Sequence, residues 1–180
     1  MKGIVFTEFL ELVEEKFGLE MVDTIIEQSE LPSQGVYTAV GTYSFSEMLS
    51  LLGNLSTNTG IDIDSLLMVY AEHFFGVIKR SYPGLIETYK DPIEMLSSIE
   101  DHIHIEVRKI YPDAELPTFT TEVQTEKSLV MLYQSSRAMY SFGLGLMNMT
   151  FDHFGMTADI TMEKLNESGT EVRFSITQNG

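Results

Sequence analysis

The chain has 180 residues, a length that suits one domain with a substantial hydrophobic core. Its net charge of −16 disfavours a nucleic-acid backbone or an anionic membrane surface as partner, because both are themselves negative. The absence of cysteine excludes disulfides, thiolate metal sites and cysteine catalysis, and it suits a cytoplasmic protein.

The first 110 residues are predicted to form five helices. Met1-Lys2-Gly3 leads into an amphipathic pattern rather than a signal peptide, and no apolar run is long enough for a membrane span. Ser44 and Glu47 have the spacing of a capping box, and Asp91-Pro92 places an N-cap before a proline at the first helical position. The predicted helices cover residues 6–17, 19–28, 44–58, 62 or 64 to about 83, and 91–110.

The last of these helices has one ambiguous segment, His102 to Val107, whose apolar residues also alternate as they do in a strand. The strong helix start at Asp91 and the stop at Tyr111-Pro112 favour a helix. We therefore predict one continuous helix to Ile110.

The pattern changes after Pro117. Residues 118–125 and 128–136 are predicted to form one hairpin, residues 160–165 and 170–177 a second, and residues 139–154 an apolar helix between them. The chain is thus predicted to be a single α+β domain, residues 1–180. A helical N-terminal lobe (about 1–62) packs with a lobe of helices on a small, about four-stranded antiparallel sheet (about 63–180).

The strand that ends the first hairpin runs into the motif Tyr133-Gln134-Ser135-Ser136-Arg137. In an extended chain Tyr133, Ser135 and Arg137 share one face, and all three are donors suited to a carboxylate or a phosphate. A Tyr-x-Ser-x-Arg run alone is common on a solvated strand face, so the motif indicates a ligand only in company with other features.

Four histidines are present, and none belongs to a His-Glu-x-x-His pair, so a zinc site has little support. His102 and His104 are two residues apart and lie on different sides of a helix, so only one of them can face a given pocket. A lone histidine inside a domain is more often a hydrogen-bonded core residue than a metal or haem ligand.

The sequence has no pattern typical of an enzyme. It contains no Gly-x-Ser-x-Gly elbow, and Gly143-Leu144-Gly145 lacks the third glycine of a dinucleotide site. These glycines instead predict that a helix closely approaches something flat and bulky. The carboxylates are spread over helix faces, so no acid–base pair can be selected.

One histidine facing a pocket, an apolar helical lobe and an acid-binding strand face together indicate haem. Haem needs an axial base, an apolar pocket, and cationic or hydroxylic partners for its two propionates. Arg137 supplies the charge-assisted pair, and Tyr133 and Ser135 supply hydrogen bonds.

With these features in view, the chain resembles the haem nitric oxide/oxygen binding (H-NOX) family, which includes stand-alone bacterial NO sensors and the haem domain of soluble guanylate cyclase. The resemblance covers essentially all residues. It includes Met1-Lys2-Gly3, a histidine thirteen residues before Pro117, and the Tyr-x-Ser-x-Arg motif twenty-nine residues after that histidine.

The resemblance implies a haem b cofactor (protoporphyrin IX iron) buried between the lobes, with His104 as the proximal iron ligand. His102 is the rival ligand, and its spacing to Pro117 fits less well. Pro117 would press on the porphyrin and help to distort it from planarity. The propionates would be held by Tyr133, Ser135 and Arg137.

The distal side departs from the oxygen-binding members, which carry a tyrosine where this chain has Phe142. The neighbouring distal positions offer no hydrogen-bond donor and are Val5, Phe9, Phe74 and Leu146. Bound O₂ gains strongly from a donor and NO gains far less, so the resemblance implies selectivity for NO. Tyr140 is nearby in sequence, but it lies about 200° of helix away from Phe142 and is predicted to face elsewhere.

The implied function is a cytoplasmic gas sensor with no catalysis of its own. NO would bind the iron, weaken or break its bond to His104, and let the helix that bears His104 move. The partner implied by the resemblance is a histidine kinase or a diguanylate cyclase/phosphodiesterase, with no nucleic acid and no membrane. Two alternatives stay open: an O₂-binding member that uses Tyr140 as donor, and a haem-free domain whose acidic surface binds a basic partner.

Overall fold

The structure is a computed structural model that describes residues 1–179. Within this range it has seven α-helices and one four-stranded antiparallel sheet, so the predicted α+β class is confirmed. The helices are α1 (Gly3–Phe17), α2 (Leu19–Glu27), α3 (Phe45–Thr59), α4 (Ile63–Ser81), α5 (Pro92–Ser97), α6 (His104–Ile110) and α7 (Tyr140–His153). The strands are β1 (Thr118–Gln124), β2 (Ser128–Gln134), β3 (Ala158–Lys164) and β4 (Glu171–Gln178).

Capping residues begin and end the N-terminal helices. Ser44 caps α3 by accepting a hydrogen bond from the Ser46 amide, but the predicted capping box is wrong, because the Glu47 carboxylate instead accepts from the Tyr37 hydroxyl at 2.9 Å. Gly60 ends that helix in the left-handed conformation. Asp62 accepts from the Ser65 amide at the start of α4. The apolar faces of α1 to α4 then meet in one core, which includes the fully buried Phe6.

The predicted single helix over residues 91–110 is wrong, because it is divided into three parts. Ser97 and Ser98 both donate their hydroxyls to the Glu94 carbonyl, and α5 ends there, since such side-chain bonds compete with the helix ladder. A π-helix, Ile99–Ile103, follows, and α6 begins directly after it at His104. The strand alternative for His102 to Val107 is also excluded.

The sheet has the order β1-β2-β4-β3, so β2 and β4 are the central strands. Both predicted hairpins are confirmed, and the pairing of β2 with β4 joins them. The inward side chains of the two central strands alternate with outward ones. Helices α5 and α7 cover the inward face, and the buried core there contains Ile93, Leu96, Leu129, Met131, Tyr133, Met147, Phe151, Val172, Phe174 and Ile176.

The Tyr-x-Ser-x-Arg motif does not lie on one strand face as predicted, because β2 ends at Gln134. The chain turns after this residue: the Arg137 amide donates to the Ser135 hydroxyl, and the Ala138 amide donates to the Ser135 carbonyl. Ala138 has a φ of 50°, a left-handed conformation that is rare for alanine. Serine hydroxyls favour such turns, and this turn takes Arg137 out of the strand face that Tyr133 occupies.

Helix α7 packs tightly against α4. A Cβ added at Gly145 would lie 2.5 Å from the Ala71 Cβ and 3.2 Å from the Met68 carbonyl oxygen. The expectation that Gly145 approaches a flat group is therefore wrong, since its open face meets α4. None of the helices within residues 1–179 combines the length and apolar content needed to cross a bilayer.

The close packing of α4 on α7 predicts that alanine is unfavourable at Gly145, although it is favourable at an open glycine on another helix. Gly145→Ala is expected to lower the free energy of unfolding by about 1 kcal/mol or more, because overpacking costs about 1–3 kcal/mol. Gly53→Ala on α3 is the matched control, since an added Cβ there meets nothing within 4 Å. It is expected to raise the free energy of unfolding by up to about 1 kcal/mol. Urea unfolding measures both, and a stabilised Gly145→Ala variant would contradict the packing.

Candidate functional site

A cavity of about 300 Å³ lies between α1, α4, α6, α7 and the end of β2. This volume is at the lower end of the roughly 300–1,000 Å³ typical of ligand pockets, and the lining is mostly apolar. A more open hollow of about 760 Å³ lies beside α1 and α2, and three glutamates line it. None of the predicted site residues lines that hollow, so the chemistry expected from the sequence belongs to the first cavity.

His104 lies in the wall of this cavity at the first position of α6, with 8% of its surface exposed. Its Nδ1 is 2.9 Å from Glu100 Oε1, and we assign the ring proton to Nδ1 from this hydrogen bond. Burial lowers the pKa of His104, and the nearby Glu100 carboxylate only partly opposes that effect. The neutral ring then keeps its lone pair on Nε2, which is the form of imidazole that binds a metal.

His102, the rival ligand, points elsewhere. Its Nδ1 lies 2.5 Å from the Tyr89 hydroxyl, and it is not among the residues that line the cavity. His73 and His153 also lie outside the lining, and His73 Nε2 is 3.2 Å from Glu8 Oε2. The expectation that only one of His102 and His104 can face a given pocket agrees with this geometry.

Tyr133, Ser135 and Arg137 all line the cavity although they do not share a strand face. Tyr133 is buried because it points inward from β2. This burial raises the pKa of its phenol, so the hydroxyl stays neutral and can donate a hydrogen bond. The Arg137 guanidinium donates from Nη1 to the Glu115 carbonyl at 2.5 Å and from Nη2 to the Glu115 carboxylate.

The Arg137 contacts test whether this corner of the cavity suits a haem propionate. Its fork already binds a carboxylate, and the Glu115 side chain that supplies it is 81% exposed and free to turn to solvent. His104 Nε2, the apolar wall and this fork together supply an axial base, a porphyrin-compatible surface and a carboxylate partner. The residues present therefore fit a haem group.

The remaining predicted positions divide between the cavity and the core. Val5, Phe74, Pro117, Phe142 and Leu146 line the cavity. The Phe142 ring lies 5.7 Å from the Phe74 ring, and none of these five side chains carries a hydrogen-bond donor.

Phe9 does not line the cavity. It is 1% exposed in the core of the N-terminal helices, where its ring packs edge-on against Tyr70 at 5.5 Å. Tyr140 is also outside the lining, and its hydroxyl donates to Asp64 Oδ2 at 3.4 Å. The prediction that Tyr140 faces away from Phe142 is confirmed.

The sequence analysis missed several residues of the site. Glu100 bonds to His104 from outside the cavity lining, and its spacing of one helical turn before the histidine could have identified it. The apolar residues between α4 and α6 gave no signal, because burial in a core and burial against a ligand need the same side chains. They include Ile78, Leu85, Ile86, Met95, Ile99, Ile103 and Val107.

Comparison with known proteins places this geometry in a family. A sequence model described as haem-NO-binding (HNOB) matches residues 2–162. The Fe(II) unliganded H-NOX protein from K. algicida is 70% identical, with a TM-score of 0.98, and the match covers 100% of this chain and 97% of that chain. No protein with a curated function matches the chain.

Two further solved structures have lower identity. The H-NOX from Shewanella woodyi in the Fe(II)CO ligation state is 36% identical, with a TM-score of 0.84, over 99% of this chain and 95% of that chain. An H-NOX protein from S. oneidensis in the Fe(II)NO ligation state is 20% identical and shares the fold, with a TM-score of 0.91 over 100% of both chains. On the family model and the K. algicida relative, this chain belongs to the haem-NO-binding, or H-NOX, family of haem-based gas-sensor domains.

Proposed function

We propose that this protein is a cytoplasmic sensor that binds NO at a ferrous haem b, selects NO over O₂, and signals to a separate partner without catalysis of its own. The observation that carries the proposal is the His104 ring at the cavity wall, with Nδ1 held by Glu100 and Nε2 left for a metal. Haem supplies the ferrous iron at which the gas binds. Haem binding, gas selectivity and signalling depend on the residues of the chain.

The chain would hold the haem by three kinds of contact. His104 would provide the iron ligand, and the apolar wall, including Pro117, would pack on the porphyrin. Arg137 would pair with a propionate in place of the Glu115 carboxylate, and Tyr133 and Ser135 would add hydrogen bonds. This division of roles follows the chemistry of the side chains, because only Arg137 among these anchors carries a charge.

Selectivity comes from the apolar end of the cavity. Val5, Phe74, Phe142 and Leu146 offer no donor to a bound gas, and O₂ depends on one far more than NO does. The O₂-binding alternative requires Tyr140 to turn into the cavity. That rotation would break its contact with Asp64 and the contact of Lys164 over its ring, at 4.4 Å, so the observations favour NO.

Signalling requires two arrangements of the chain that the partner distinguishes. We propose a helical lobe of about residues 1–62 and a helix/sheet lobe of about residues 63–180, within one domain of residues 1–180. Helix α4 contacts both, since Tyr70 packs in the N-terminal core and Phe75 in a second core. Movement of α6 with His104 would shift one lobe relative to the other.

The ligand assignment is tested by absorption spectroscopy of the reduced protein. His104→Ala is expected to remove the spectrum of histidine-ligated ferrous haem, because no other histidine lines the cavity within the described residues. His102→Ala is the matched control and is expected to keep that spectrum, since His102 bonds to Tyr89. An unchanged spectrum in His104→Ala would refute the assignment.

The selectivity is tested by comparing the reduced protein under NO and under air. We expect a stable spectral change with NO and no stable O₂ complex. Phe142→Tyr places a hydroxyl in the cavity wall and is expected to slow O₂ release by roughly 10-fold to 100-fold, from a hydrogen bond of about 1.5–3 kcal/mol. Phe142→Leu changes the volume without adding a donor and should not bind O₂. Stable O₂ binding by the unmodified protein would exclude the proposed selectivity.

The partner is proposed to be a histidine kinase or a diguanylate cyclase/phosphodiesterase, with no nucleic acid and no membrane. The affinity of the reduced protein for a purified enzyme of each class, measured by calorimetry with and without NO, should differ for the true partner. Equal affinities for every enzyme in both states would exclude signalling through these classes.

A further inference from the structure

The Glu100 carboxylate accepts two hydrogen bonds on one oxygen. Oε1 lies 2.9 Å from His104 Nδ1 and 2.9 Å from the backbone nitrogen of Phe119. The first bond joins the π-helix to the start of α6, and the second joins the same carboxylate to β1, nineteen residues further along the chain. Glu100 therefore connects the histidine directly to the sheet.

These contacts restrict the position of the carboxylate. A glutamate held only by a histidine can follow that histidine or leave it, whereas the Phe119 amide holds Glu100 Oε1 independently of the ring. The ring is held by packing too, since the Phe119 side chain lies 6.2 Å from it, centroid to centroid. The His104 side chain is only 10% exposed, so water has little access to replace the bond at that end.

We propose that Glu100 is the positioning residue of the proposed haem site: it selects the Nδ1–H tautomer of His104, aims Nε2 into the cavity, and ties the histidine to β1. This inference rests on the proposed function, because it assigns how the proposed ligand is held. A carboxylate that accepts the second ring proton of a ligating histidine makes the ring more basic and fixes its orientation. Bound to iron, such a ring would be a stronger ligand than a histidine without that partner.

Through Glu100, a movement of His104 would be transmitted directly to the sheet. When His104 shifts, Glu100 must either break its bond to Nδ1 or pull on the Phe119 amide. Phe119 is the only buried residue of β1. Phe119 packs in turn on Tyr133, with ring centroids 5.4 Å apart. Glu100 thus links the proposed iron ligand to the proposed propionate anchor Tyr133 through three contacts: His104 with Glu100, Glu100 with Phe119, and Phe119 with Tyr133.

The test is the iron–histidine stretching frequency of the reduced protein, measured by resonance Raman spectroscopy. Glu100→Gln removes the charge and keeps a similar shape, so it is expected to lower this frequency. The rate of haem transfer to excess apomyoglobin is expected to rise roughly 10-fold, the lower end of the 10–100-fold effect usual for such partners. Asp101→Asn is the matched control, since Asp101 is exposed and adjacent, and it should leave both values unchanged.

A second measurement uses the unmodified protein and does not depend on a folded variant. In the CO complex of the reduced protein, the His104 Nδ1 proton and the Phe119 amide proton should both exchange slowly with solvent. Fast exchange of the Nδ1 proton, or a Glu100→Gln frequency equal to that of the unmodified protein, would overturn the assignment. If no iron–histidine band exists, or if it survives His104→Ala, the proposed function itself fails instead.

Discussion

One carboxylate oxygen, Glu100 Oε1, joins the proposed iron ligand to the sheet, and the geometry of the cavity depends on it. It accepts from His104 Nδ1 and from the Phe119 amide, each at 2.9 Å. A carboxylate can serve both donors because each of its oxygens has more than one acceptor direction. The ring proton is thereby held on Nδ1, away from the cavity, and Nε2 is left unprotonated at the wall where a metal can bind.

The break in the helix over residues 91–110 coincides with this arrangement. The hydroxyls of Ser97 and Ser98 bond to the Glu94 carbonyl, α5 ends, and Glu100 lies in the π turn that follows, where its carboxylate meets His104 and the Phe119 amide. π-helical turns often occur at functional sites, because they present side chains that a regular helix would direct elsewhere. The irregular backbone therefore lies directly beside the proposed ligand, His104.

The corner of the cavity at Arg137 has a fixed backbone and a partner side chain that can be exchanged. The turn after β2 is held by Ser135 and by the left-handed Ala138, so the backbone that carries Arg137 is well defined. The Glu115 carboxylate is exposed and can leave Nη2 of Arg137, whereas Nη1 stays on the Glu115 backbone carbonyl, so a propionate would gain access to one arm of the guanidinium. The proposed distal wall has no such exposed side chain at Phe142, because the Phe142 ring packs between Tyr70 and Phe74, with ring centroids 5.2 Å and 5.7 Å away.

The sequence by itself determined the α+β class and most element positions, because periodicity and caps are local signals. The Tyr-x-Ser-x-Arg motif pointed to Arg137, and the family resemblance supplied His104 and Pro117 as candidates. The sequence also implied the family, which the comparisons confirm. Only the tertiary structure decided that the helix breaks before His104, that β2 ends at Gln134, and that Phe9 packs in the core rather than in the cavity wall. It alone revealed the Glu100 contact with Phe119. These outcomes depend on contacts between residues far apart in the chain, and no local pattern encodes which distant atoms a side chain will meet.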